Sequence, residues 1–325
     1  MAVTPDTRNR LGPLGGTAHE SAQQTHNARG LRALNIYHAV WLNIRQMPLA
    51  AIVRKDVRDS IRSGSFIATT LLFVLVAGFW AVIQHVPPMY SDTTAPTSTL
   101  ALLNSMGQPM AFFVPLLGLA ISYGAIARER DSGTLRLALS LPNSRSDVVL
   151  GKFVGRTAVL SIAILSGYAV VAGIALLTYE SFAAVKFILY TLLTGFYGTV
   201  YVAIGIGFSS AMKSQQRALG GAVGLYFFFQ LGWDLVTAIL QTVTVGYIPP
   251  ESGVPPWLIV VDALNPTSAV GYATRAIIPT FDEIMSYPVS ASFYPPKWAG
   301  FAILTAWLVL SLGYGHRRFQ LTDIQ

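Results

Sequence analysis

Six predominantly apolar runs, each close to the length needed to cross a bilayer, constrain this chain more than any other feature. They cover residues 66–86, 109–127, 153–177, 187–208, 218–240 and 298–315. A hydrocarbon core about 30 Å thick takes roughly 20 residues of helix. Backbone N–H and C=O groups in lipid must be satisfied within the segment, so each run is expected to be a helix. The alternation of β-barrel strands is absent. Composition agrees, with 53% of the 325 residues hydrophobic and 11% charged, against about 25% charged in soluble domains. The expected fold is all-α: a polytopic membrane protein with six transmembrane helices.

The net charge of +7 does not imply nucleic acid, because the bases flank the apolar runs and share no periodic face. Arg45, Arg54, Lys55, Arg58 and Arg62 precede the first run. Arg128, Arg130, Arg136, Arg145 and Lys152 separate the second from the third, and Arg156 stands just inside the third. Lys213 and Arg217 lie between the fourth and fifth, and Arg317 and Arg318 follow the sixth. The other side offers only Lys186, Arg275 and Lys297. By the positive-inside rule both termini are expected in the cytoplasm of a cell-membrane protein. Zero cysteines exclude disulfides, thiolate metal sites and a cysteine nucleophile.

Residues 1–30 lack the apolar core of a signal peptide and read as a disordered cytoplasmic tail, which leaves the first span to direct insertion. Residues 31–65 are expected to hold an amphipathic interfacial helix. In the stretch 44–63, Leu49, Ile52, Val53, Val57 and Ile61 recur at roughly helical spacing. That pattern puts an apolar face at the acyl boundary and Arg54, Lys55, Arg58 and Arg62 toward lipid phosphates. The blander alternative is a solvated charged helix. Residues 66–325 form the six-helix domain, with a cytoplasmic loop over 127–155 and a long outer loop over 241–297. The latter is apolar but broken by Asp262, Asn265 and Pro266. It reads as short re-entrant or interfacial helices before the last span, or else as an ordinary extracellular loop.

The most specific segment is 127–155, ARERDSGTLRLALSLPNSRSDVVLGKFVG. Gly133 suits a tight bend out of the second span, and Pro142 ends one helix before another begins. Ser132 or Ser146 is placed to cap, with Asp147 in a first turn. Leu135, Leu137, Leu139 and Leu141 are too apolar for a solvated loop. Charges here also serve as topogenic signals, but topogenesis does not require that order of Gly, Pro and Leu. In Glu129, Arg130, Gly133, Thr134, Leu135, Leu139, Pro142, Arg145, Gly151 and Lys152 the chain resembles the permease subunits of type-2 ABC exporters. These carry E-R-x-x-G-T-L, a Leu-rich stretch, P-x-x-R and G-K between their second and third spans. The looser Asn265-Pro266 stretch with Tyr272 and Arg275 is similar to one before their last span.

The resemblance implies that the ten residues couple the chain to a separate ABC ATPase, which would hold the ATP and magnesium. Glu129 and Arg130 would pair with neighbouring charges at the junction. It also implies a second permease copy, most simply as a homodimer, surrounding lipid, and no cofactor in this chain. One branch is similar to permeases for multicopper-enzyme maturation. With no Cys and no Met or His cluster, nothing here argues for copper.

Within the spans, Asp234 is the one carboxylate deep in an apolar run, and intramembrane carboxylates are functional candidates. It lies in the outer half of its helix, so contact with interfacial water or structural pairing is an equal alternative. Arg156 is expected to snorkel toward the inner surface. Gly205, Gly207, Gly220, Gly221 and Gly224 suggest close helix packing, with Gly220 and Gly224 at small-xxx-small spacing. No phosphate loop, H-E-x-x-H or G-x-S-x-G motif occurs, so neither ATP hydrolysis nor hydrolase chemistry is expected from this chain alone. A secondary transporter is the competing class, with a non-transporting membrane protein or membrane enzyme behind it.

Overall fold

The computed structural model describes residues 49–83, 98–135, 144–179, 181–247, 254–283 and 295–321. The tail over 1–30, residues 31–48 and the loop positions Leu137, Leu139, Leu141 and Pro142 lie outside them. Six helices among the described residues are long and apolar enough to cross a membrane, as the hydropathy predicts. A helix over 49–61, α1, leads into the first span, α2 (Gly64–Ile83). After the short α3 (Thr99–Ser105), the second span is built from α4 (Gly107–Ser122) and α5 (Ala127–Asp131). Spans three and four are α6 (Arg145–Thr178) and α7 (Ala184–Ala211). Span five runs through α8 (Gln215–Phe227), a π-helical segment Phe228–Gly232 and α9 (Trp233–Val245). Two short helices, α10 (Pro256–Ala263) and α11 (Pro266–Ile277), precede the last span, α12 (Ala299–Leu321).

The fourth span, α7, is the packing centre and touches α4, α6, α11 and α12. One of its faces carries Tyr190, Thr194, Tyr197 and Tyr201, all buried, at the spacing that lines up side chains on a helix. Buried hydroxyls need partners. Thr194 meets the Tyr168 hydroxyl at 2.9 Å, and the Tyr197 and Tyr201 hydroxyls meet Thr267 of α11 at 3.0 and 3.2 Å. Where α7 crosses α12 the backbones nearly touch, since a Cβ on Gly315 would lie 2.7 Å from the Cα of Gly207. Without a hydrophobic force between helices in lipid, such close contact is what holds them together.

Two irregularities in the spans are repaired by side chains from elsewhere. The second span breaks at residues 123–126, and the Ser209 hydroxyl of α7 accepts from the backbone N–H groups of Ile126 and Ala127 at 3.2 and 3.1 Å. The π segment of span five changes the carbonyl pattern, and Asn265 donates its Nδ2 to the Phe229 carbonyl at 2.9 Å. In lipid each such group would otherwise cost several kcal/mol. Asn265 also caps α11 by accepting from the Thr267 N–H. The α10–α11 pair is further tied by indole N–H donors, Trp233 to the Val261 carbonyl and Trp307 to the Leu264 carbonyl. The segment read from sequence as short helices or a plain loop is thus a helical pair folded into the bundle.

The glycine expectation holds in part. Side-chain or backbone atoms crowd Gly205, Gly207 and Gly221, whereas Gly220 and Gly224 face open space within this chain.

Candidate functional site

Residues 129–131 sit just past the break in span two, and the short α5 aims three consecutive side chains in three directions. Glu129 accepts from Lys152 Nζ of α6 at 2.6 Å. Arg130 donates to the carbonyls of Ser210, at 3.0 Å, and Met212, at the C-terminal end of α7. Asp131 accepts from the Gln215 N–H at the start of α8 at 3.3 Å. The last two contacts have the sign that the helix dipole favours: cation at a C-terminus, anion at an N-terminus. Arg145, the first residue of α6, repeats the device on the last span by donating to the Phe319 and Gln320 carbonyls at 2.9 and 2.7 Å. Phe319 lies between the two arginines, each guanidinium 5.9 Å from its ring centre, a cation–π distance.

Behind these contacts α1 is fastened to α6 through a buried ionic cluster. Asp56 is 3% exposed, and its carboxylate meets Lys152 Nζ at 2.9 Å and Arg156 at 2.9 and 3.1 Å. Asp56, Glu129, Lys152 and Arg156 sum to zero charge, as a low-dielectric position demands. Two glycines make room for it. A Cβ on Gly151 would lie 2.6 Å from Ile52 Cγ2, and one on Gly155 2.8 Å from Asp56 Oδ2. Gly151 and Gly155 stand four apart on α6, and Ile52 and Asp56 four apart on α1, so knobs on one helix meet holes in the other.

Between α5 and the undescribed part of the loop, Gly133 adopts φ +75° and its N–H returns to the Arg130 carbonyl. Ser132, Gly133 and Thr134 are exposed, while Leu135 is buried. Among the described residues of the motif, this turn is the exposed part. Together these contacts form a clamp joining α1 and spans two to six at one end of the bundle.

Of the residues singled out from sequence, Glu129, Arg130, Arg145, Gly151 and Lys152 converge in the clamp, Gly133 and Thr134 form the turn, and Leu139 and Pro142 lie outside the described residues. Arg54, Lys55 and Arg58 are exposed on α1, and Arg62 is exposed just past its end. Asp234 lies at the opposite end. Three expectations are corrected. Helix α6 begins at Arg145, so Gly151 and Lys152 belong to the third span and not to a loop. Its cap is Ser144, in a capping box with Asp147, while Ser132 closes α5. Arg156 does not snorkel, because Asp56 holds it. The buried Asp56 was missed among the surrounding bases; its place one helical turn from Ile52 was the available signal.

A model of ABC-2 family transporter proteins matches residues 50–324. A relative from Pseudomonas aeruginosa, described as a probable ABC transporter permease protein NosY, is 32% identical over 280 residues, covering 80% of this chain and 97% of its own. Its counterpart from Stutzerimonas stutzeri, of the same description, is 32% identical over 223 residues, 66% of this chain and 77% of its own.

Proposed function

The chain belongs to the ABC-2 transporter family and is a multi-pass membrane permease of the ABC type; from that premise we propose that it is the membrane-spanning subunit of an exporter driven by a separate ABC ATPase. The observation that carries this reading is the clamp. A permease without a phosphate loop must receive work through a surface. Work applied to a single loop reaches all the helices only if the loop is rigidly joined to them. Glu129, Arg130, Asp131 and Arg145 supply those joints, and the exposed turn at Ser132, Gly133 and Thr134 offers the contact.

The distribution of Lys and Arg supports placing the clamp, and both termini, in the cytoplasm. Two permease copies with two ATPases complete the proposed assembly. The open faces of Gly220 and Gly224 on span five suit close approach of a second copy, and Arg54, Lys55, Arg58 and Arg62 suit lipid phosphates. ATP and magnesium belong to the ATPase.

The test is co-expression with the ATPase, followed by measurement of co-purification and nucleotide turnover. Glu129→Ala and Thr134→Asp should each lower ATPase recovery or turnover several-fold while the permease still inserts. Equal recovery and turnover in both variants would overturn the reading.

A further inference from the structure

At the end of the bundle opposite the clamp, a cavity of about 580 Å³ opens between the start of α4, the π segment of span five, α11 and Phe281. The described residues lining it include no Lys, Arg or His. Asp234 of α9 faces it, and no described donor reaches that carboxylate. Burial first, and also the charge of Asp234, push the carboxyl of Asp262 on α10 above its usual range. Gln230 lies one helical turn before Asp234 and spends its Nε2 on the Ala111 carbonyl at 2.9 Å, which leaves its oxygen as the open group. Asn265 likewise spends its Nδ2 on Phe229. Asn104 and Gln108 add amides that can donate or accept, so the one net charge on the described lining is the negative one of Asp234.

The rest of the wall is aromatic. Tyr190 stacks on Phe281 with ring centres 6.2 Å apart and planes 6° from parallel, and Phe229 closes another side. Acceptors beside aromatic faces are the chemistry that recognises an organic ammonium or guanidinium group. A transition-metal ion fits less well, since no three His, Cys, Asp or Glu side chains converge among the described residues. Asp234 is exposed within this chain, so its carboxylate is open to a charged ligand, and a carboxylate inside an apolar span is a functional candidate. Gln230 and Asp234, four apart, share a face as in any helix, and the π segment changes the rotation of that face relative to α8.

We propose that this cavity binds a small organic cation bearing N–H donors, with its charged end at Asp234 and its apolar body against Phe229, Phe281 and Tyr190. The proposal rests on the transporter reading in naming the class of cargo, but binding itself requires no ATP.

The experiment uses the full chain with its co-expressed ATPase in phosphatidylcholine nanodiscs and follows the fluorescence of dansylcadaverine, a primary amine. Saturable binding is expected, displaced by unlabelled cadaverine and not by its N-acetylated, uncharged form. Asp234→Asn should weaken it about tenfold or more, as expected for loss of a charge-assisted contact. Gly271→Trp is the second variant, because Gly271 lines the cavity with nothing within 4 Å of a built Cβ. It should block binding with both carboxylates intact. Wild-type affinity in both variants, displacement by the uncharged analogue, or no saturable binding would overturn the proposal. ATPase co-purification and turnover, read on the same samples, report separately on the permease reading.

Discussion

Asp56 is the residue on which the clamp most depends, because two cations share its carboxylate at 2.9 Å inside the protein. Removing one partner of such a pair leaves the other charges buried and uncompensated, a loss on the order of 3–5 kcal/mol. Asp56→Ala should therefore lower the detergent-phase melting temperature sharply, with Lys152→Met restoring part of it by removing an orphaned charge. An unchanged melting curve for Asp56→Ala would mean the cluster carries no stability. Asp262, outside the spans, has its carboxyl pushed above the usual range by burial first and the charge of Asp234 second, against the pull of the Ser268 hydrogen bond. A carboxyl whose folded value is raised favours the fold fully below its unfolded value and loses that contribution as pH rises through the folded one. Stability should thus decline as pH climbs above the ordinary carboxylate range, and Asp262→Asn should flatten that slope in melts taken across pH.

At the scale of elements, the departures from regular helix say most. The π segment in span five and the break in span two each disturb backbone pairing where water cannot help, and each is met by one polar side chain, Asn265 or Ser209. Asn265→Ala would leave the Phe229 carbonyl without its donor and α11 without its cap, a loss of about 1–3 kcal/mol. Hydrogen exchange in the α10–α11 pair should rise while α6 and α7 stay protected. If exchange were uniform across the variant, the pair would be held by packing alone. Neither irregularity shows in the hydropathy of residues 109–127 or 218–240, since a π turn uses the same apolar residues as an α turn. The capping box at Ser144 is legible in the sequence, because Asp147 stands three residues on, although Ser146 beside the same Asp147 offers a competing cap.

Over the whole molecule, one end gathers basic residues and ties α1 to spans two through six, while the other end holds the cavity faced by Asp234. The chain contains no cysteine, so single introduced thiols report topology directly. Ser132→Cys should react with an impermeant maleimide only after the inner face is exposed, and Tyr247→Cys in intact cells. The reverse pattern would invert the proposed orientation. The number of spans, the all-α class and the family-like loop were determined by sequence alone, because crossing lipid leaves the backbone one local solution and its signal is a run of neighbouring residues. What only the tertiary structure decided is which charges meet. Asp56 and Lys152 are 96 positions apart, Arg145 and Phe319 are 174, and Asn265 reaches a carbonyl on another helix. Such pairings depend on helix rotation and crossing, set by side-chain fit at glycines such as Gly151, Gly155 and Gly207; the spacing of Gly151 and Gly155 marks a packing face along the chain but does not name the helix that meets it.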